Sequence, residues 1–372
     1  MNSVSVSAQP RWVYKLGGGT LADAGRIRHS LASVPQRAGT VLVVSAPAGV
    51  TDQLCAVNQA SAQGQAREAR ARMHQVVRHF QQLATALVPA PQAQALVAQW
   101  EAWVRAHLSE ASEARVLARG ELWNAQLLAD YLNHQGRPAR AVDARRFVLA
   151  EAEGAEAEVV DLRGCLPCAR ELAVITGFIA RDAQGADHTL GRDGSDYTAA
   201  LVAEALVNEG LVSRDSAGCW QLSLHFLTDT PGIRSADPRR LDAPGLRIPC
   251  IGHREARTLV HWGGGVLHPR TIKPLVRAQI RAWVGQPDGQ AETAAGTWLV
   301  PGNHWPAGGL GIFVTGSRRK GESAAHGAVA TARLVLPAPL EGALNPLQQA
   351  ENQRSQAALV QACQEFWPTA ES

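Results

Sequence analysis

Two glycine-punctuated stretches carry the residue types that bind anions. The first is "VYKLGGGTLADA", in which Lys15 stands on a short apolar run just before Gly17, Gly18 and Gly19. Glycines there let backbone N–H groups approach a negative ligand closely. The second is "TLGRDGSDYTAALVAEAL", Thr189 to Leu206. In it Gly191-Arg192-Asp193-Gly194 is a turn cluster, and Tyr197, Ala200, Leu201, Ala205 and Leu206 recur at helical spacing. Ser195 and Asp196 therefore fall at a helix N-terminus, where N–H groups and the positive dipole end favour an anion. An ordinary N-cap after a loop has the same look. Neither G-x-x-x-x-G-K-[ST] nor G-x-G-x-x-G occurs at the glycine turn, which sets aside a P-loop and a dinucleotide fingerprint. A lysine buried on a strand is costly, so Lys15 is expected either to meet a partner charge or to snorkel out of the strand end.

Composition narrows the partners. The net charge of +3 is small and its basic residues are scattered, which argues against nucleic acid and anionic membranes. Of 36 basic residues only Lys15, Lys273 and Lys320 are lysine, so each invites a separate question. "MNSVSVSAQPRWVYKL" has no apolar core behind a basic start, and no run approaches the roughly 18 apolar residues of a membrane span. A soluble, cytoplasmic protein is expected. Six cysteines, at 55, 165, 168, 219, 250 and 363, lack the density of a disulfide scaffold. Cys165 and Cys168 form a lone CxxC that reads as partly buried thiols, and no protein-held metal is expected.

The elements that must position these residues alternate. Trp12 to Leu16 reads as a strand, Thr20 to Val34 as a helix, and residues 40–46 as a strand buried on both faces. Residues 63–136 read as mostly helical with a break at 88–92. "RPARAVDA" and "ELAVITGFIA" are further strands, the second leading through a hairpin-like "RDAQGAD" into the arginine motif. A strand ending at Thr228-Asp229 follows, then a polar loop, a helix from His253 to Trp262, another after His268, and a last strand "IRAWVG". This order predicts a three-layer α/β/α fold with a largely parallel central sheet over residues 11–300. Residues 1–10 are an N-terminal extension. Residues 301–372 are a short C-terminal appendage, with a strand in "VATARLVLPAP" and a terminal helix in "NPLQQAENQRSQAALVQACQEFW".

Six strings, in order, are similar to aspartate kinases of the amino acid kinase family. "VYKLGGGTLADA" resembles their K-F-G-G-T-S-V-A-D-A opening, "SAPAGVTDQL" their second strand and loop, and "GELWNAQLLADYLNHQG" their substrate-binding Glu helix. "TLGRDGSDYTAALVAEAL" resembles G-R-G-G-S-D, "LTDTPGIRSADPR" resembles T-D-V-P-G-I-Y-T-A-D-P-R, and "WGGGVLHPRTIKPL" resembles F-G-A-K-V-L-H-P. The resemblance implies an amino acid kinase-like fold and phosphorylation of L-aspartate by Mg-ATP to 4-phospho-L-aspartate, the first step of the aspartate-family amino acid pathway. Another acidic acceptor, or a non-catalytic ligand-binding role, is the alternative. By the same resemblance Lys15 contacts the transferring phosphate and Asp196 organises it, both catalytic. Gly17, Gly18 and Gly19 supply N–H groups. Arg192 holds a substrate carboxylate and Glu121 the α-ammonium, while Ser45, Thr51, Phe178 and Ser195 line the amino-acid pocket. Thr228, Asp229, Arg234, Asp237 and Arg239 fall on the nucleotide side, and ATP brings Mg2+ on its phosphates. Family members commonly form dimers or larger oligomers.

The chain departs from the family pattern at four places. Arg234 stands where tyrosine is usual, Gly265 where lysine is, Gly19-Thr20 where Thr-Ser is, and Asp193 where glycine follows the arginine. One lost charge-assisted contact costs roughly 1.5–3 kcal/mol, so nucleotide affinity is expected to fall unless Arg234 or Lys273 compensates. Asp193 puts a negative charge beside an anion site. The appendage is shorter than the roughly 150 residues that two regulatory ACT modules need, so the usual lysine or threonine feedback is not expected.

Overall fold

The computed structural model describes residues 11–37, 39–167, 171–233, 247–261, 267–287 and 296–301, with the backbone of strands at 311–315 and 331–335. The N-terminal extension, Cys168, Arg234, Asp237, Arg239, Gly265, Cys363 and the expected terminal helix lie outside these described residues.

In chain order the elements are β1 (Arg11–Leu16), α1 (Ala24–Ala32), β2 (Thr40–Val44), α2 (Val50–Ala62), α3 (Ala66–Leu87), α4 (Ala90–His107), α5 (Glu113–Leu117) and α6 (Arg119–His134). Next come β3 (Ala139–Val142), β4 (Val148–Ala150), β5 (Ala157–Val159), α7 (Leu162–Cys165), β6 (Leu172–Thr176), β7 (Ile179–Arg181), β8 (Asp187–Thr189) and α8 (Gly194–Asn208). The chain continues through β9 (Leu222–Leu227), β10 (Cys250–Gly252), α9 (His253–His261), α10 (Pro269–Ala278), β11 (Ala282–Gly285) and β12 (Gly296–Val300), and the appendage contributes β13 (Gly311–Thr315) and β14 (Thr331–Val335).

Eight strands form the central sheet in the order β10-β12-β11-β9-β1-β2-β6-β3, parallel except where β12 runs against β11. β4, β5, β7 and β8 make a second, four-stranded sheet. The apolar runs of β2, β6 and β9 are buried throughout, as strands covered on both faces must be. Val13, Val43, Ile175, Leu224 and Phe226 pack with α8 and α10 on one face. Tyr14, Leu42, Val44 and Val174 pack with α1, α2, α3, α4 and α6 on the other. This is the three-layer α/β/α arrangement. α8 is buried nearly all round, which explains why its apolar residues are not confined to one stripe.

Several boundaries differ from the sequence expectation for local reasons. After the glycine turn the chain makes a 3-10 turn at Gly18–Leu21, and α1 begins only where Asp23 accepts from the Arg26 N–H at 2.9 Å. The helical stretch from 63 to 136 is four helices; it breaks at Val88-Pro89 and again before Ser112, which caps α5. "ELAVITGFIA" is two strands, β6 and β7, separated at Gly177-Phe178, and β9 stops at Leu227 short of Thr228. β12 was not anticipated; it inserts between β10 and β11. Among the described residues no helix is long and apolar enough to cross a membrane.

α6 is anchored by aromatic packing. Phe80 of α3, Trp100 of α4 and Trp123 of α6 have ring centroids 5.4–5.7 Å apart, and Trp100 is fully buried. Trp100→Ala should therefore destabilise the protein by about 3–5 kcal/mol. Urea unfolding measures this directly, and a loss below about 1 kcal/mol would show that the triad does not pin α6.

Candidate active site

Side chains alternate across β1, so Lys15 shares the face of Val13, which packs under α8. Its Nζ lies 2.6 Å from Asp196 Oδ1 in the first turn of α8, with each side chain 11% exposed. Burial raises the Asp196 carboxyl above the ordinary aspartate value; the Lys15 ammonium pulls it back down, and Asp193 pushes it up. Lys15 thus meets a partner charge and does not snorkel.

The glycine turn leaves β1 at its carboxyl end, where open α/β sheets bind ligands. Gly17 donates its N–H to Leu227 O at 3.0 Å, which corrects the expectation that all three glycine N–H groups face a ligand. A Cβ on Gly17 would stand 3.4 Å from Lys15 Nζ, so the turn passes in van der Waals reach of the ammonium. Gly18 and Gly19 open the 3-10 turn, and the first N–H groups of such a turn have no acceptor within it. The Asp229 carboxylate sits against Gly19, 3.0 Å from where a Cβ would be. Just past the end of β9, Thr228 donates its N–H to Gly285 O at 2.9 Å.

Arg192 is held exposed between two residues in the left-handed region, Gly191 (φ 71°) and Asp193 (φ 55°). Asp193 is the N-cap of α8 but makes no side-chain capping bond. Below this loop runs the β6–β7 break. Phe178 has φ 70°, uncommon for an aromatic residue, and its N–H donates to Thr198 Oγ1 at 3.1 Å. Gly177 is obligatory there, because a Cβ would lie 2.5 Å from Ser195 Cβ.

Glu121, in the first turn of α6, is fully buried. Its Oε1 accepts from the Ala46 N–H at 3.0 Å, while Oε2 has no partner. Burial pushes its carboxyl up to about 8, against the lowering effects of backbone hydrogen bonds and Lys15. One turn on, Asn124 donates to Ser45 O at 2.7 Å and so fixes the β2–α2 loop.

An open cavity of about 560 Å³ joins these parts. Of the residues singled out in the sequence, Lys15, Gly18, Ser45, Thr51, Glu121, Phe178, Arg192, Ser195 and Asp196 line it. Gly17, Gly19, Thr228 and Asp229 do not; they cluster at the ends of β1 and β9. Sequence reasoning missed Asn124, whose signal was a polar residue three positions after Glu121 on a buried helix face. It also missed Cys55, Glu113, Glu153 and Thr189, all on the cavity wall. Asp193 is exposed and lines the cavity as well. Lys273, the candidate to replace the lysine missing at Gly265, is paired with Glu156. Among the described residues no cluster of three His, Cys, Asp or Glu side chains could hold a metal ion.

Residues 10–286 match the amino acid kinase family. The chain is 32% identical over 292 residues to bifunctional aspartokinase/homoserine dehydrogenase 2 of Escherichia coli, covering 73% of this chain and 34% of that protein. It is 34% identical over 297 residues to lysine-sensitive aspartokinase 3 of the same organism, covering 73% and 61%. Its structure is similar to that of E. coli aspartokinase III in complex with aspartate and ADP, with a TM-score of 0.64 and 27% identity over 82% of this chain and 68% of that one. The match thus spans less than two thirds of either curated relative's length.

Two expectations follow from the geometry. Glu121 holds its proton more tightly folded, at about 8, than unfolded, at 4.5, so its contribution to stability is complete below about 4.5 and is lost as pH rises through about 8. Each pKa unit is about 1.4 kcal/mol, so the ligand-free protein should lose on the order of a few kcal/mol across that window relative to Glu121→Gln. Denaturant titrations of both proteins at several pH values check this, and a pH-independent difference would refute it. Asp193→Gly relieves a left-handed aspartate and should leave the protein as stable or up to about 1 kcal/mol more stable by thermal unfolding. A lower melting temperature would mean that the Asp193 side chain holds the loop.

Proposed function

The chain belongs to the amino acid kinase family, and on that premise we propose that it transfers the γ-phosphate of ATP to the side-chain carboxylate of L-aspartate, giving 4-phospho-L-aspartate and ADP. The observation that carries this reading is the buried Lys15–Asp196 pair, 2.6 Å apart, on the wall of a cavity that also holds Glu121 and Arg192.

An aspartate carboxylate has a reference pKa near 3.9 and is ionised at neutral pH, so it attacks without a general base. One carboxylate oxygen bonds to the γ-phosphorus as the bond from that phosphorus to the β–γ bridging oxygen breaks, and ADP leaves with that oxygen. The protein's part is placement and charge neutralisation. Lys15 donates to the phosphoryl oxygens while Asp196 fixes its position. Gly18 and Gly19 turn their N–H groups to the same oxygens, and Thr228 and Asp229 serve the nucleotide side, to which the family resemblance also assigns Arg234, Asp237 and Arg239. Arg192 takes the α-carboxylate through its planar fork. Glu121 takes the α-ammonium on Oε2, the oxygen without a partner, and gives up its proton as it does so. Ser45, Thr51, Phe178 and Ser195 shape the pocket. Magnesium bound through the nucleotide phosphates would offset their charge, a mode that needs no cage of protein carboxylates.

A second reading, a larger acidic acceptor, draws on the cavity wall at Cys55, Glu113, Glu153 and Thr189, which exceeds what one aspartate requires.

Hydroxylamine trapping with Mg-ATP and a panel of acidic amino acids tests both. Aspartate should give hydroxamate, and Lys15→Ala should lower kcat by at least roughly a hundredfold, the scale of one lost transition-state donor. Product from another acid alone would support the second reading. No product with any acid, together with no ATP binding by calorimetry, would remove catalysis and leave a ligand-binding protein.

A further inference from the structure

Arg270 lies on α10, two residues after the last of the "WGGGVLH" string, and its guanidinium is half-buried beneath the Arg192 loop. One terminal nitrogen donates to Gly154 O at 2.6 Å and reaches Ala155 O at 3.4 Å. The other donates to Leu190 O at 2.6 Å and reaches Arg192 O at 3.5 Å. The same nitrogen stands 3.3 Å from where a Cβ on Gly191 would be, and the guanidinium carbon lies 5.5 Å from the centre of the Tyr197 ring. Two chain segments 36 residues apart, the turn after Glu153 and the loop that presents Arg192, are therefore gathered on one side chain.

The Arg192 loop needs such a hold. Two of its three residues, Gly191 and Asp193, are left-handed, and a non-glycine residue in that region is strained unless its surroundings fix it. Asp193 does not fix it through its own side chain, since it makes no capping bond. Gly194 N–H to Gly191 O, at 3.0 Å, closes the turn, but nothing in that bond aims Arg192 at the cavity. The carbonyl bonds from Arg270 do, because they hold the peptides on both sides of Gly191 against the rigid α8–α10 pair.

We propose that Arg270 is a positioning residue for the acceptor site: through the carbonyls of Leu190 and Arg192 it sets where the Arg192 guanidinium meets the acceptor carboxylate. This rests on the reading above in which Arg192 binds that carboxylate. Only a planar fork serves both segments at once; a lysine ammonium at the same position reaches one of them.

The test uses the full chain with Arg270→Ala and Arg270→Lys. In trapping assays the KM for aspartate should rise roughly tenfold or more in Arg270→Ala, the scale of one lost charge-assisted contact, with the KM for ATP within about twofold. Arg270→Lys should recover only part of that loss. Hydrogen exchange should speed up at the amides of residues 191–194 and stay unchanged in residues 201–206 of α8. Unchanged exchange in the loop, or equal rises in both KM values, overturns the proposal. If the wild-type protein makes no hydroxamate from aspartate, the functional reading fails on its own, and the exchange measurement still decides whether Arg270 sets the loop.

Discussion

One buried ion pair constrains the site more than any other contact. Lys15 projects from the middle strand of the sheet into the layer beneath α8, where an unpaired ammonium is strongly disfavoured. Asp196 removes that penalty at 2.6 Å, and in doing so fixes the start of α8 to the end of β1. The neighbouring sequence accommodates this geometry. Gly177 stays small because Ser195 is pressed against it. Phe178 accepts a left-handed backbone because Thr198, one turn into the same helix, receives its N–H. The ammonium keeps further N–H bonds to give, so a pair that stabilises the fold can also serve an anion.

The charges around the cavity favour a zwitterionic ligand over a plain anion. Lys15 and Arg192 are opposed by Glu113, Glu153, Asp193 and Asp196 on the same walls. A simple dicarboxylate would meet net repulsion. Under the proposed reading an amino acid brings its own cation, and the Glu121 oxygen that has no hydrogen-bond partner would receive it. Burial raises that carboxyl to about 8, so near neutrality the ligand-free site avoids an isolated buried charge.

Local rules made the chemistry-bearing ends of elements legible. The strand, glycine turn and helix around Lys15, and the turn cluster before α8, follow from turn and capping preferences acting within a few residues, and nine of the residues they and the family resemblance pointed to line one cavity. What was not legible is what depends on distant partners. Asn124 holds a carbonyl 79 residues away and Arg270 one 80 residues away, and recognition of a carbonyl leaves no mark in sequence spacing. "ELAVITGFIA" keeps an apolar pattern across its break because both β6 and β7 are buried strands. β12 escaped notice because five residues after a polar stretch give too short a pattern to read.

The near absence of lysine has a physical counterpart at this site. All but three of the 36 cations are arginine, a residue suited to forks over carbonyls and carboxylates, as Arg145, Arg270 and Arg277 show. Lys15 does a different job: its nitrogen sits 2.6 Å from the Asp196 carboxylate and 3.4 Å from where a Cβ on Gly17 would stand. A compact ammonium meets a carboxylate there and still faces the cavity, with donors left over for an anion. Lys273 is on an exposed helix face paired with Glu156, where either cation would serve. Among the described lysines, the one at the end of β1 is therefore the one whose surroundings use a compact ammonium.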